Sequence, residues 1–474
     1  MAVQALSRTR VRPAGPSLWQ RIWEARLAYL YILPGFLIMA IVTFFPLIFQ
    51  VWMSLTDYGI TNLSAKEGLF AQIWGSFFPA YASTHPQAGA PNWIGLQNFL
   101  QILGNRLALP GYDFWYMLSF NLIWTFINVF FHVVLGVAFA MLLNSKGLLF
   151  KRFYRAFYII PWALPALISG MIWHNMYDKD YGAINLLSGL RLDWLKETAT
   201  PFQQLFRELS KGMGLGEEAW PYLLLPAVFL LILAAAFLFY RARSRRSAPV
   251  TVLGALASTA AAGFLSLAFP FARGLDSLAS WLYYLIAFGV VGMIVALFTL
   301  TNRYRPDAAG RALVLISAIV LGVGALILIG WKLPYSFYAV LLANIWLGWP
   351  FMMTVATGAL QGIPEELYEA ARIDGASDWQ AFWQITVPLI RPAMVPAIMI
   401  GMMMTFNQFN VIYFVTGGEP LHRTEILVTQ AFRLVNEQKL YGVAAAFSII
   451  VFFVLAVITV ITNRISRATE SYAV

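Results

Sequence analysis

The sequence predicts an all-α integral membrane protein, and three observations carry that prediction. Of its 474 residues 60% are hydrophobic and only 11% charged, with a mean hydropathy of +0.69, too few charges to cover a water-soluble surface. Ten stretches free of Asp, Glu, Lys and Arg are each long enough to cross a hydrocarbon core, which takes about 20 helical residues. Within them apolarity is continuous rather than alternating, which selects helices over barrel strands.

The ten spans fall near residues 28–53, 114–143, 156–177, 219–240, 247–272, 277–302, 312–331, 333–361, 392–418 and 440–463. Basic residues are retained in short cytoplasmic loops. Arg8, Arg10, Arg12, Arg21 and Arg26 precede the first span, and alternate loops then collect KRFYR (151–155), RARSRR (241–246), NRYRPDAAGR (302–311), Arg372, Arg391, Arg464 and Arg467. Both termini and the loop after the eighth span are therefore expected in the cytoplasm. The formal net charge of +10 follows mostly from this topology, so lipid rather than nucleic acid is the expected surroundings. The first apolar run, about 25 residues, exceeds the roughly 7 to 15 of a cleaved signal core. It leads into Trp52 and Tyr58, placed in the interfacial belt. Zero cysteines exclude disulfides and thiolate metal sites. The absence of G-x-x-x-x-G-K-[ST] excludes a P-loop in this chain, and no cofactor is expected.

Residues 369–388, EAARIDGASDWQAFWQITVP, are a polar interruption between two apolar runs. Pro364 suits a first helical position, and Glu365 and Glu366 favour the positive end of the helix dipole. Leu367, Ala370 and Ala371 share a face, Gly375 can take the left-handed conformation that stops a helix, and Ser377 with Gln380 fits a capping box opening a second. An ordinary connector is the plain alternative to a docking element.

The spacing closely resembles the EAA motif of bacterial ABC importer permeases: Glu369, Ala370 and Ala371, then Gly375, then Ile385 and Pro388, with Val387 where the family carries leucine. The resemblance implies that Glu369, Ala370, Ala371, Asp374, Gly375 and Ala376 form a plug for a separate ATPase. WIGLQNFLQIL (93–103), YIIPWALPALISGMIW (158–173), YGAINLL (181–187), NIWLGWPFMM (344–353), FNQFNVIYFVTGGEP (406–420) and YGVAAAFSII (441–450) extend it toward the maltose/maltodextrin-type permeases. It implies a bacterial or archaeal plasma-membrane protein with a second permease subunit, two ATP-binding cassette subunits and an external solute-binding protein. It leaves residues 205–333 unmatched. The expected organisation is a cytoplasmic segment 1–27, permease core 28–204, a four-span insertion 205–333, a second core part 334–463 with the loop 362–392, and a tail 464–474. Four crossings return the chain to the outside before the eighth span. The insertion reads as lipid-facing accessory helices.

Polar groups inside a membrane are costly unless they line water or pair, so they mark the solute path. Asn344, Leu347, Gly348 and Phe351 recur at i, i+3, i+4 and i+7 on one helical face, and Gly401, Thr405 and Gln408 do so on the ninth span, with Asn407 and Asn410 nearby. The resemblance places these positions in a mid-membrane sugar pocket; polar glue between helices is the alternative. Amides and hydroxyls suit sugar hydroxyls, and an aromatic face suits the apolar side of the ring. The family's usual hydroxyl, two asparagines and tyrosine are here Gly401, Thr405, Gln408 and Phe351, which leaves the sugar open: maltose or maltodextrin, another disaccharide, or a glycerol-phosphate-type solute. His132 and His174 read as packing histidines. A secondary transporter would need a coupling-ion site, and no span holds a carboxylate. Asp178, Asp180 and Asp193 form no recognised catalytic or metal spacing.

The cysteine-free chain allows a direct test of topology. A Gly375→Cys variant is expected to resist a membrane-impermeant thiol reagent in intact cells and to label after permeabilisation; strong labelling from outside would invert the arrangement.

Overall fold

A computed structural model of the chain describes Trp23, residues 26–212 and residues 333–470, apart from 64–65, 67, 87–88, 146 and 190. Among the described residues five helices are long and apolar enough to cross a bilayer, and a bent helix pair, Lys151–Ala163 with Ala166–Met176, makes six if it is one span. These coincide with the six spans expected outside the insertion. The four spans expected between 219 and 331 lie outside the described residues. The chain divides into two compact units, Met1–Phe99 with Lys439–Ile449, and Leu100–Gln438 with Ile450–Val474.

In the first unit, α1 (Arg26–Met39) passes through a π-helical turn, Ala40–Phe44, into α2 (Phe45–Ser54). Pro46 explains the widened turn, since proline supplies no N–H for the regular ladder. Side chains along α1 are exposed and largely apolar, as a lipid-facing surface requires; Leu30 and Ile32 are examples. Trp52 and Tyr58 are each only 7% exposed. They meet edge-to-face at 5.6 Å, Trp52 donates its Nε1–H to Ser76 Oγ (2.9 Å), and Tyr58 meets Tyr441 edge-on at 6.4 Å. An amphipathic ring that is buried needs a partner for its polar atom, and for Trp52 the packed segment supplies it.

The second unit is built around α3 (Phe114–Asn144). Asp113 caps it, accepting hydrogen bonds from the backbone N–H of Trp115 (3.0 Å) and Tyr116 (3.1 Å). Next come α4 (Lys151–Ala163), α5 (Ala166–Met176) and α6 (Tyr335–Gln361). Helices α7 (Glu366–Ile373) and α8 (Asp378–Ala381) lead through a π turn, Phe382–Thr386, into α9 (Val387–Phe406) and α10 (Phe409–Val415). The last helices are α11 (Leu427–Asn436) and α12 (Tyr441–Glu470).

Helices α3 and α6 meet along a seam of small and polar residues at four-residue intervals. Asn344 Nδ2 donates to Asn128 Oδ1 (2.9 Å), the His132 ring lies against Gly348, and Gly136 lies against Met352 and Met353. Residue numbers rise together along the seam, so α3 and α6 run in the same sense. A Cβ at 136 would stand 2.6 Å from Met352 Cβ and 2.7 Å from the Met353 nitrogen, so only glycine permits this approach. Toward the C-terminal end of the seam Ala140, Leu143, Met353, Ala356 and Leu360 enclose Ile390, Met394 and Ala397 of α9 in one buried cluster.

Two glycine-to-alanine changes separate this packing from helix propensity. In a helix interior alanine is favoured over glycine by about 1 kcal/mol. Gly358, with nothing within 4 Å of its Cβ position, should follow that rule, and Gly358→Ala should leave thermal stability unchanged or raised. Gly136→Ala should lower the unfolding midpoint and the folded yield, because backbone on α6 must move. Equal behaviour of the two purified variants would show that the seam is not closely packed.

Candidate functional site

A cavity of about 460 Å³ opens between α3, α6, α9 and the broken third span. All seven residues that sequence spacing placed on a solute path line it: Asn344, Leu347, Gly348 and Phe351 from α6, and Gly401, Thr405 and Gln408 from the ninth span. Asn407 joins them, whereas Asn410 does not line the cavity. The walls also include His132, Trp162, Leu164, Ala166, Met352 and Met404, which sequence analysis did not place there. His132 had a usable signal: Asn128, His132 and Gly136 mark one face of α3 at i, i+4 and i+8. Trp162 had another, since it lies between Pro161 and Pro165.

Two helix breaks shape the walls. The third span is not one helix; α4 and α5 bend by 89° at Leu164–Pro165, where proline cannot continue the ladder. The break turns Trp162, Leu164 and Ala166 toward the cavity. The ninth span breaks at Asn407–Gln408, so Gln408 does not sit at the i+7 position of a continuous helix. It lies in the gap, with φ −75° and ψ 71°. The gap is stable because its carbonyls find donors on α3: Trp124 Nε1–H donates to the Thr405 carbonyl (3.0 Å) and Asn121 Nδ2 to that of Phe406 (3.1 Å). Asn121 Oδ1 accepts from the Leu427 backbone N–H (3.0 Å), tying down the start of α11 as well. Away from water such groups must be paired within the protein. At the far end of α10, His174 Nδ1 donates to the Val415 carbonyl (2.7 Å), and Gly170 lets Phe414 approach.

Inside the cavity the amides are ordered by one another. Asn344 is 2% exposed; its Nδ2 is used by Asn128, and its Oδ1 accepts from Gln408 Nε2 (3.2 Å). Asn344 thus positions Gln408 more than it faces a solute. Gln408 Oε1 and the Thr405 hydroxyl make no hydrogen bond among the described residues, and both are available to a ligand. Trp162 and Phe351 provide aromatic faces, their centroids 6.2 Å apart and planes 31° apart. The lining contains no Asp, Glu, Lys or Arg, and no group of three or more potential metal ligands occurs among the described residues.

The second set of sequence-marked residues forms an exposed helix–turn–helix after α6. Helix α7 begins at Glu366 rather than Pro364, because the stretch after Gln361 is occupied by the turn that closes α6. Glu369, Ala370 and Ala371 lie on α7, and Asp374 ends it. Gly375, at φ +78°, allows paired closing bonds: its N–H to the Arg372 carbonyl (3.0 Å) and that of Ala376 to the Ala371 carbonyl (2.9 Å). Ser377 and Gln380 complete the capping box of α8. Tyr368 and Thr386 share a hydroxyl bond (2.9 Å) that ties α7 to the π turn. Around the turn Ile373 is 87% and Trp379 69% exposed, and nothing lies within 4 Å of a Cβ at 375.

Residues 246–471 match the family described as binding-protein-dependent transport system inner membrane component. The trehalose/maltose transport system permease protein MalF of Thermococcus litoralis is 23% identical over 444 residues, 94% of this chain and 95% of that protein. The maltodextrin transport system permease protein MdxF of Bacillus subtilis is 23% identical over 447 residues, 93% of this chain and 69% of that protein. In fold the chain is similar to a subunit of a bacterial alginate ABC transporter crystallised with an alginate pentasaccharide-bound periplasmic protein, at TM-score 0.50 and 14% identity, over 95% of this chain and 97% of that one.

Proposed function

Since the chain belongs, across residues 246–471, to the binding-protein-dependent transport system inner membrane components, we propose that it is the membrane-spanning permease of an ATP-driven importer of a neutral oligosaccharide of the maltose/maltodextrin type. The observation that carries this reading is the cavity, where uncharged hydrogen-bonding groups and two aromatic faces meet between helix breaks. Thr405 and Gln408 contact the sugar hydroxyls, Phe351 and Trp162 cover its apolar face, Leu347, Gly348 and Gly401 shape the space, and Asn344 holds Gln408. The alginate of the solved relative is an acidic polysaccharide. A carboxylated sugar would meet no Lys or Arg in the described lining, which favours a neutral one here.

The chain does not hydrolyse ATP. Two cassette subunits do so, engaging the exposed turn at Glu369, Ala370, Ala371, Asp374, Gly375 and Ala376, while a second permease subunit completes the pathway and an external binding protein delivers the sugar. Residues 28–204 and 334–463 form the working core, and both termini are cytoplasmic. The named relatives, maltose, trehalose and maltodextrin permeases, support this assignment.

Uptake assays with the reconstituted complex test the pocket. Loss of one neutral hydrogen bond is worth about 0.5 to 1.5 kcal/mol, so Gln408→Ala and Thr405→Ala should each weaken uptake several-fold or shift sugar preference while assembly stays normal. Unchanged uptake of maltose, maltotriose and trehalose by both variants would place the pocket elsewhere.

The coupling surface is tested at Gly375. A Cβ there meets no neighbour, so Gly375→Val acts through the left-handed backbone, which costs a non-glycine residue about 1 kcal/mol or more. The variant should reduce ATPase association or sugar-stimulated hydrolysis without loss of the folded membrane domain. Full association and full stimulated hydrolysis would reject the role.

A further inference from the structure

His132 is an ionisable side chain in the middle of a membrane-spanning helix, a costly position that packing alone does not explain. Its Nε2 lies 2.9 Å from the backbone carbonyl of Asn344. A carbonyl only accepts, so Nε2 carries the proton, and in the neutral ring Nδ1 is left as an acceptor. No described group donates to it. The nearest amides are otherwise engaged, since Asn344 Nδ2 is bonded to Asn128 Oδ1 and Asn344 Oδ1 to Gln408 Nε2. The ring rests on Gly348, where any Cβ would collide with Cε1 and both ring nitrogens, and His132 and Gly348 both line the cavity. The seam thus gives up a side chain at 348 to admit, at the cavity wall, a ring that is 4% exposed and keeps one unused acceptor.

We infer that His132 is a specificity-determining residue: its Nδ1 accepts a hydrogen bond from one hydroxyl of the transported saccharide, and Gly348 is the position that admits the ring. This rests on the cavity being the sugar path. A pure acceptor discriminates sharply, because it recognises a hydroxyl and gains nothing from a deoxy or O-methyl position. Gln408 Oε1 and the Thr405 hydroxyl serve other hydroxyls of the same solute, so each residue should read its own position on the sugar.

The test crosses residue changes with sugar changes in the complete reconstituted transporter. Uptake would be measured for whichever of maltose, maltotriose and trehalose the parent complex imports fastest, and for its singly deoxygenated analogues, each normalised to the parent complex with the same binding protein. The parent should disfavour one analogue by about two- to tenfold. His132→Phe should remove that discrimination at that analogue alone, Gly348→Ala should remove the same one by displacing the ring, and His132→Gln, which retains a donor and an acceptor, should restore part of it. A uniform effect on all analogues, or none, would reduce His132 to packing and overturn the inference. If His132→Phe does not assemble, Gly348→Ala decides, and unchanged discrimination in it overturns the inference equally. Gln408→Ala separates this from the wider reading: a position-selective effect there with none at His132 removes only the histidine assignment, whereas none at either residue, or import of none of the three sugars, removes both.

Discussion

Helices in a bilayer are not driven together by the hydrophobic effect, because lipid tails are as apolar as their side chains; close approach and satisfied polar groups must hold them. In the second unit both come from the seam between α3 and α6. Gly136 brings the backbones together, Asn128 and Asn344 join them with an amide bond, and His132 closes over Gly348 onto the Asn344 carbonyl. The cavity exists because this seam fixes one wall, and α3 then reaches past it to cap the broken ninth span through Trp124 and Asn121.

That capping is what makes an interrupted helix tolerable at membrane depth. The gap at Asn407–Gln408 exposes the carbonyls of Thr405 and Phe406, and an unpaired one in hydrocarbon would cost on the order of several kcal/mol. With indole and amide donors from α3 in place, the gap becomes a fixed platform for Gln408, whose own nitrogen is held by Asn344. A broken span also turns a side chain lengthwise into a cavity that a straight helix would present only sideways. The 89° bend between α4 and α5 does the same for Trp162.

The exposed turn after α6 is organised on a different principle. Its bonds are nearly all local, from the paired closure at Gly375 to the capping box at Ser377, so its shape is set within about a dozen residues and does not draw on the cavity. The Tyr368–Thr386 bond ties the turn to the start of α9, the helix that carries Gly401 and Thr405. One helix thus runs from the turn to a cavity wall.

Local and periodic features were legible in the sequence. The six described crossings follow from charge-free length, the stop at Gly375 from glycine's access to positive φ, and the capping box from a serine and glutamine three residues apart. The two polar faces that line the cavity follow from helical spacing on α6 and the first part of α9. What needed the tertiary structure was every feature created by an approach between distant segments. Trp52 and Tyr58 are buried because the segment carrying Ser76 and Tyr441 pack on them, contacts no window of sequence contains. Gln408 reaches the cavity through a helix break rather than through its i+7 position, because donors nearly 300 residues upstream satisfy the carbonyls that the break exposes. His132 reads in sequence as one packing histidine among apolar residues; only its closure over Gly348, more than 200 residues away, bonds one ring nitrogen to α6 and makes the ring part of the cavity lining.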